Sequence, residues 1–407
     1  MVRNIGVFGR RNVGKSSFVN TFTGQDVSIV SPVAGTTTDP VKKRMEIPGI
    51  GICNIIDTAG IDDCGLVGDL RVKKSERAIR QIDLAILLFS DNIFAKPEMD
   101  LLERFCKLGL PVLIVHGKSD LTPLDDSLAQ ELNARFGADV VEYSSILGNE
   151  EMAMQQNMVA AMIFKLFSAA EKYEEKPLLD GFVEENDTIV LVCPVDSQAP
   201  AKRLILPQVM AIRDVLDHKG RAVVLQPQQL PDYMEKSNNG ADIKLVVTDS
   251  QAFPEVNAML PPYVHLTSFS ILMARAKGPF EEYLRGIRAI DGLKSGDRVL
   301  ILESCTHHVT CEDIGRVKIP GKLRSYLAKK NNDADFVLEF DFVAGTDEIP
   351  HKNYGLAIQC GGCMVTKREL VNRVGSLVER NIPVTNYGMA IAFLSGIMER
   401  VCYEPHK

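Results

Sequence analysis

Gly9 and Gly14, followed by Lys15 and Ser16, stand at the spacing Gly-x-x-x-x-Gly-Lys-Ser directly behind the apolar run Ile5 to Phe8. That pattern suits phosphate. The two glycines let the backbone curl so that the N–H groups of Arg11, Asn12, Val13 and Gly14 turn inward, and the helix expected from Lys15 aims its positive end at the same point. Lys15 then reaches the β- and γ-phosphates, the Ser16 hydroxyl takes a Mg²⁺ position, and Ser17 completes the cradle.

Two further stretches fit a nucleoside triphosphate. Gly35-Thr36-Thr37-Thr38-Asp39 can fold over a γ-phosphate and offer a threonine hydroxyl to Mg²⁺. Asp57-Thr58-Ala59-Gly60 ends an expected strand, so Asp57 can hold the Mg²⁺ shell while the Gly60 N–H faces the γ-phosphate. Both contacts exist only with a triphosphate, and hydrolysis would release both loops. No evident catalytic base accompanies them, so turnover is expected to be slow. Base recognition is expected at Gly117-Lys118-Ser119-Asp120, where guanine-specific proteins usually carry Asn-Lys-x-Asp. Asp120 can accept two hydrogen bonds from a guanine edge and the Lys118 stem can lie along the ring. Gly117 cannot replace the missing amide, so guanine preference is expected with a different support. Ser144 and Ser145 are placed to close around the base.

A second chemistry lies far along the chain. Cys305-Thr306-His307-His308 follows one expected strand and Cys360-Gly361-Gly362-Cys363 follows another. If those strands are parallel neighbours, both motifs emerge at one sheet edge and three sulfurs and an imidazole can meet. Cys-x-x-Cys alone is shared by redox dithiols, zinc sites and iron–sulfur clusters. His308, Cys311 and His351 are rival ligands nearby.

These motifs need rigid elements to hold them. Strands alternate with helices throughout, which predicts an α/β chain with mainly parallel sheets in three domains: 1–172, 178–267 and 268–407. A helix carrying Met152, Met154, Met158 and Met162 closes the first. Its methionines are expected to fill core, with a partner surface as the lesser reading. The second domain has no glycine cradle, which suits an assembly module: its open sheet leaves two edges, and pairing like edges gives a homodimer. The 407 residues carry a net charge of −7, which argues against a nucleic-acid coat. No apolar run reaches bilayer length and no leader precedes the first strand, so a cytoplasmic protein without a membrane role is expected. Nine cysteines in a reducing compartment serve as buried apolar residues or metal ligands.

The first-domain motifs resemble the translation-factor-class GTPases related to tRNA-modification and ribosome-assembly enzymes. That resemblance implies GTP and GDP as ligands, Thr37 as the Mg²⁺ threonine, and a K⁺ ion beside the phosphates held with help from Asn12, hence K⁺-stimulated hydrolysis. The whole chain, with its terminal Cys-x-His and Cys-x-x-Cys motifs, resembles the HydF family of maturation GTPases for iron-only hydrogenases. This second resemblance implies a dimerisation domain in the middle and a 4Fe–4S cluster on Cys305, Cys360 and Cys363. It also implies a scaffold or carrier role for the di-iron precursor, with the hydrogenase apoprotein and the radical-SAM maturases as partners. Many members have His just before Cys-x-x-Cys; here Gln359 stands there, leaving His307, water or another side chain as fourth ligand. The competing reading is an RNA-directed GTPase with a structural zinc domain, which the acidic balance and the lack of an RNA-binding module disfavour.

Overall fold

In the computed structural model the described residues are 3–24, 41–58, 78–79, 81–169, 176–195, 204–304, 313–345 and 347–403. The chain forms two compact units, Met1–Glu174 and Glu175–Lys407.

The first unit is built on a six-stranded sheet of order β2-β3-β1-β4-β5-β6. Its strands are β1 (Arg3–Phe8), β2 (Val41–Ile47), β3 (Gly51–Asp57), β4 (Leu84–Phe89), β5 (Val112–Gly117) and β6 (Val140–Tyr143). Only β2 runs antiparallel, on the edge beside β3. Every residue of β4 is buried, because helices cover both faces. On one face Ile5, Val7, Leu113 and Val115 meet Phe18, Phe22, Val159 and Ile163. On the other, Phe8, Leu87 and Ile114 meet Phe105 and Leu132.

The methionine stripe needs correction. On the helix Asn149–Ala169, Met152 and Met162 pack on the core, but Met154 and Met158 are 73% and 44% exposed. At 100° per residue they lie roughly 200° and 240° round the helix from Met152, whereas Val159 and Ile163 fall within about 20° of it.

The second unit holds two parallel four-stranded sheets, of order β10-β9-β7-β8 and β12-β11-β13-β14. The first comprises β7 (Thr188–Val192), β8 (Arg221–Leu225), β9 (Leu245–Thr248) and β10 (Leu266–Ser268). The second comprises β11 (Arg298–Glu303), β12 (Glu339–Ala344), β13 (Leu356–Gln359) and β14 (Val384–Asn386). One continuous core joins them, running from Val190 and Val246 to Leu300 and Ile358. The helix Phe269–Lys277 serves both sheets. It sets Phe269, Leu272 and Met273 against Ile189, Leu191 and Val247, and Ile271 and Ala274 into the shared core. The sequence reading places no strand at β14, a three-residue stretch behind Pro383. The two edges of the β7–β10 sheet differ: β10 is buried and Thr267 Oγ1 donates to the Val401 carbonyl at 2.9 Å, whereas Arg221 and Val224 of β8 are exposed. Among the described residues no helix is long and apolar enough to cross a membrane.

Candidate functional site

In the first unit, β1 ends at Phe8 and the helix Lys15–Thr23 begins after a five-residue glycine turn plus its cap. Gly9 has φ 152°, and a side chain there would collide with the Leu88 carbonyl of the neighbouring strand. Asn12 adopts φ 62° and Gly14, the helix cap, φ 99°. No acidic residue sits in the first helical turn, so the positive helix end is left for an anion. Lys15 Nζ folds back over the loop, donating to the carbonyls of Gly9 at 2.9 Å and Arg10 at 2.5 Å.

Strand pairing sets Val7 opposite Asp57, which brings the end of β3 to this turn. Ser16 Oγ donates to Asp57 Oδ2 at 2.8 Å, while buried Asp57 Oδ1 has no partner among the described residues. Burial pushes the Asp57 carboxyl above its ordinary range, opposed by the Ser16 hydrogen bond and the charges of Lys15 and Lys43. An orphaned buried carboxylate oxygen beside a serine hydroxyl fits Mg²⁺ or one of its waters. Thr37 and Gly60 lie outside the described residues.

Sequence reasoning missed the support under this loop. Glu98, fully buried, receives Arg10 NH2 at Oε2 (2.7 Å). Arg10 Nε lies 2.6 Å from Oε1 but is not aligned for a hydrogen bond. Glu98 also caps its own helix, accepting the Ala95 N–H at 3.0 Å. That Pro97-Glu98 opens a helix is visible in the sequence; that its carboxylate meets a residue 88 positions away is not.

Of the residues expected to hold the base, Asp120 and Ser144 come together: Ser144 Oγ donates to Asp120 Oδ1 at 2.6 Å. Gln155 Oε1 accepts the Ser144 N–H at 3.2 Å, and the Ser119 N–H reaches the Tyr143 carbonyl at 3.3 Å. Lys118 takes φ 58°, and Ser145 follows half-buried. A Cβ at Gly117 would stand 3.1 Å from the Val13 carbonyl oxygen. Glycine therefore lets the base loop close directly on the phosphate loop.

In the second unit, β11 and β13 are parallel neighbours with Leu302 opposite Gln359. The strand order β12-β11-β13-β14 makes the connections diverge between these two strands, the place where open parallel sheets bind ligands at their carboxyl ends. The Ser304 N–H donates to Cys360 Sγ at 3.1 Å, and the Cys360 thiol donates to Ser304 Oγ at 3.0 Å. Gln359 Nε2 lies 3.1 Å from Ser304 Oγ and 3.4 Å from the same sulfur. Cys363 is pushed up by burial and by Cys360, against the nearby Lys277. Arg373 clamps the strand ends, donating to the carbonyls of Glu303 at 2.8 Å and Val343 at 3.1 Å. Arg316 holds the buried Glu303 carboxylate at 2.8 Å. Among the described residues no three His, Cys, Asp or Glu gather as a metal site; Cys305 and His307, like His308 and Cys311, lie outside them. The thiols of Cys360 and Cys363, with N–H donors already aimed at sulfur, fit a thiolate-ligated metal group.

Comparison with known proteins separates the two units. Family models for the hydrogen maturase F dimerization domain and tetramerization domain match residues 178–278 and 281–404, and a 50S ribosome-binding GTPase model matches residues 4–118. The chain belongs to the hydrogen maturase F family. Curated relatives are similar over a limited part of the chain. One is the tRNA modification GTPase MnmE of Herminiimonas arsenicoxydans, 38% identical over 29% of this chain and 26% of that protein. Another is the GTPase Der of Wolinella succinogenes, 34% identical over 32% of this chain and 29% of its own length. The chain thus spans about a quarter of the length of these relatives. Among solved structures, the G domain of the T. maritima FeoB iron transporter is similar at 22% identity and TM-score 0.30. It covers 40% of this chain and 99% of its own.

Proposed function

We propose that this chain is a GTP-hydrolysing scaffold or carrier that binds a 4Fe–4S cluster through Cys305, Cys360 and Cys363. In this role it assembles or delivers the di-iron precursor of the iron-only hydrogenase active site. The observation that carries the reading is the parallel pairing of β11 and β13, with Ser304 hydrogen-bonded to Cys360. Cys305 is the next residue in the chain after Ser304, which supports a shared site for the two motifs. The donor set of three cysteines leaves one iron position to His307 or another ligand, and an exchangeable position is what a carrier needs.

GTP hydrolysis would use the first unit. Gly9 to Ser17 cradle the phosphates, with Lys15 on the β- and γ-phosphates, and Ser16, Thr37 and Asp57 serve Mg²⁺. Gly60 answers the γ-phosphate, Asn12 helps a K⁺ ion, and Lys118, Asp120, Ser144 and Ser145 hold guanine. The β8 edge is the natural self-pairing surface for a homodimer, because β8 ends its sheet with Arg221 and Val224 exposed while β10 at the other end is buried. The hydrogenase apoprotein and the radical-SAM maturases are the partners this role requires.

Anaerobic reconstitution with iron and sulfide tests the reading. The chain should turn brown, bind iron in excess of zinc, and show a cluster signal by electron paramagnetic resonance that Cys360→Ala abolishes. Zinc in place of iron, or an undiminished cluster in Cys360→Ala, refutes it.

A further inference from the structure

We infer that Ser304 and Gln359 raise the reduction potential of a cluster held at Cys360 by donating hydrogen bonds to that sulfur. This rests on the cluster reading above. Two donors reach this one atom, the Ser304 N–H at 3.1 Å and Gln359 Nε2 at 3.4 Å, and the Ser304 hydroxyl lies 3.0 Å from it. The Cys360 thiol donates to Ser304 Oγ. A ligated thiolate has no proton to give, so the hydroxyl proton turns toward sulfur. Hydrogen bonds to sulfur stabilise the more negative, reduced cluster more than the oxidised one, which moves the potential upward.

The packing gives Gln359 little else to do. Its side chain is fully buried. Among the described residues Nε2 faces Ser304 Oγ, Cys360 Sγ and the Cys360 carbonyl at 3.3 Å, and Oε1 has no partner. A glutamine held solely to fill space would be replaced at a gain by an apolar residue, since its carbonyl is desolvated without return. Both side chains at Cys360 Sγ, those of Ser304 and Gln359, can be removed by substitution.

The test uses the full chain, reconstituted anaerobically with iron and sulfide. Iron content and the midpoint potential, read by paramagnetic resonance across a redox titration, are compared for the parent, Ser304→Ala, Gln359→Leu, the double variant and Ser304→Thr. The expected result is full iron in all. The potential should be more negative in each single variant, more negative again in the double, and near the parent value in Ser304→Thr, which keeps the hydroxyl. An unchanged potential at full iron in both single variants overturns the inference and leaves the cluster reading standing. Loss of iron in both overturns it too, since the residues would then build the site and not tune it. A parent chain that takes up no iron overturns the cluster reading and the inference with it.

Discussion

Removing Arg10 should destabilise the phosphate loop more than neutralising its partner Glu98 does. Glu98 is 0% exposed. With Arg10→Ala its only remaining hydrogen bond in the described structure is the Ala95 N–H, so a buried carboxylate loses its cation. Breaking a buried pair this way costs about 3–5 kcal/mol; Arg10 itself is 25% exposed, so water can enter and the lower end, about 3 kcal/mol, applies. Glu98→Gln keeps a side chain of the same shape and leaves a guanidinium that reaches solvent, so the loss should be about 1 kcal/mol. The two units of the chain need not melt together, so global unfolding is the wrong measurement. Hydrogen exchange resolved by peptide reports local opening instead. Amides of residues 9–15 and of the helix Lys96–Lys107 should exchange roughly 150-fold faster in Arg10→Ala and about 5-fold faster in Glu98→Gln, at 1.4 kcal/mol per factor of ten. Equal acceleration in the two variants, or less than about 5-fold in Arg10→Ala, would show that the pair is not what anchors the loop.

Lys15→Ala should abolish GTP turnover while leaving iron content unchanged, because the loop lysine and the cysteine site belong to separate units; loss of both in a folded variant would refute that separation. Asp57→Asn should make the nucleotide-free chain more heat-stable at pH 7. Burial raises the folded Asp57 pKa above its unfolded value of 3.8, so its cost to stability appears as pH rises through that window and is absent below it; a gain that persists unchanged below pH 3.8 would contradict this. Asp120→Asn should trade guanine preference for xanthine, since the new amide donor opposes the 2-amino donor of guanine but pairs with the 2-carbonyl acceptor of xanthine; nucleotide competition binding reads the exchange. Hydrolysis should be faster in K⁺ than in Na⁺, and equal rates would remove the role of Asn12.

The sequence was legible where the structure is local. The turn from Gly9 to Gly14 and the helix that starts at Lys15 rest on backbone curvature and a helix end, which a run of a few residues specifies on its own. The same holds for most strands, whose apolar runs report burial on both faces: β11 falls at Arg298–Glu303, as its pattern implies. Composition could not say which methionines of a helix face the core, although angular position could; Met154 and Met158 point outward because their spacing departs from 3.6 residues. The three-residue β14 carries too little pattern to be seen, and exists because β13 offers it a ladder. Only tertiary structure decided that β11 and β13 lie side by side, since strand order depends on which crossovers pack and not on any one strand's composition. The same is true of the Arg10–Glu98 pair and of Ser304 and Gln359 at the Cys360 sulfur. Each joins residues remote in the chain, and buried polar groups find partners through the fold that encloses them, which no local spacing encodes.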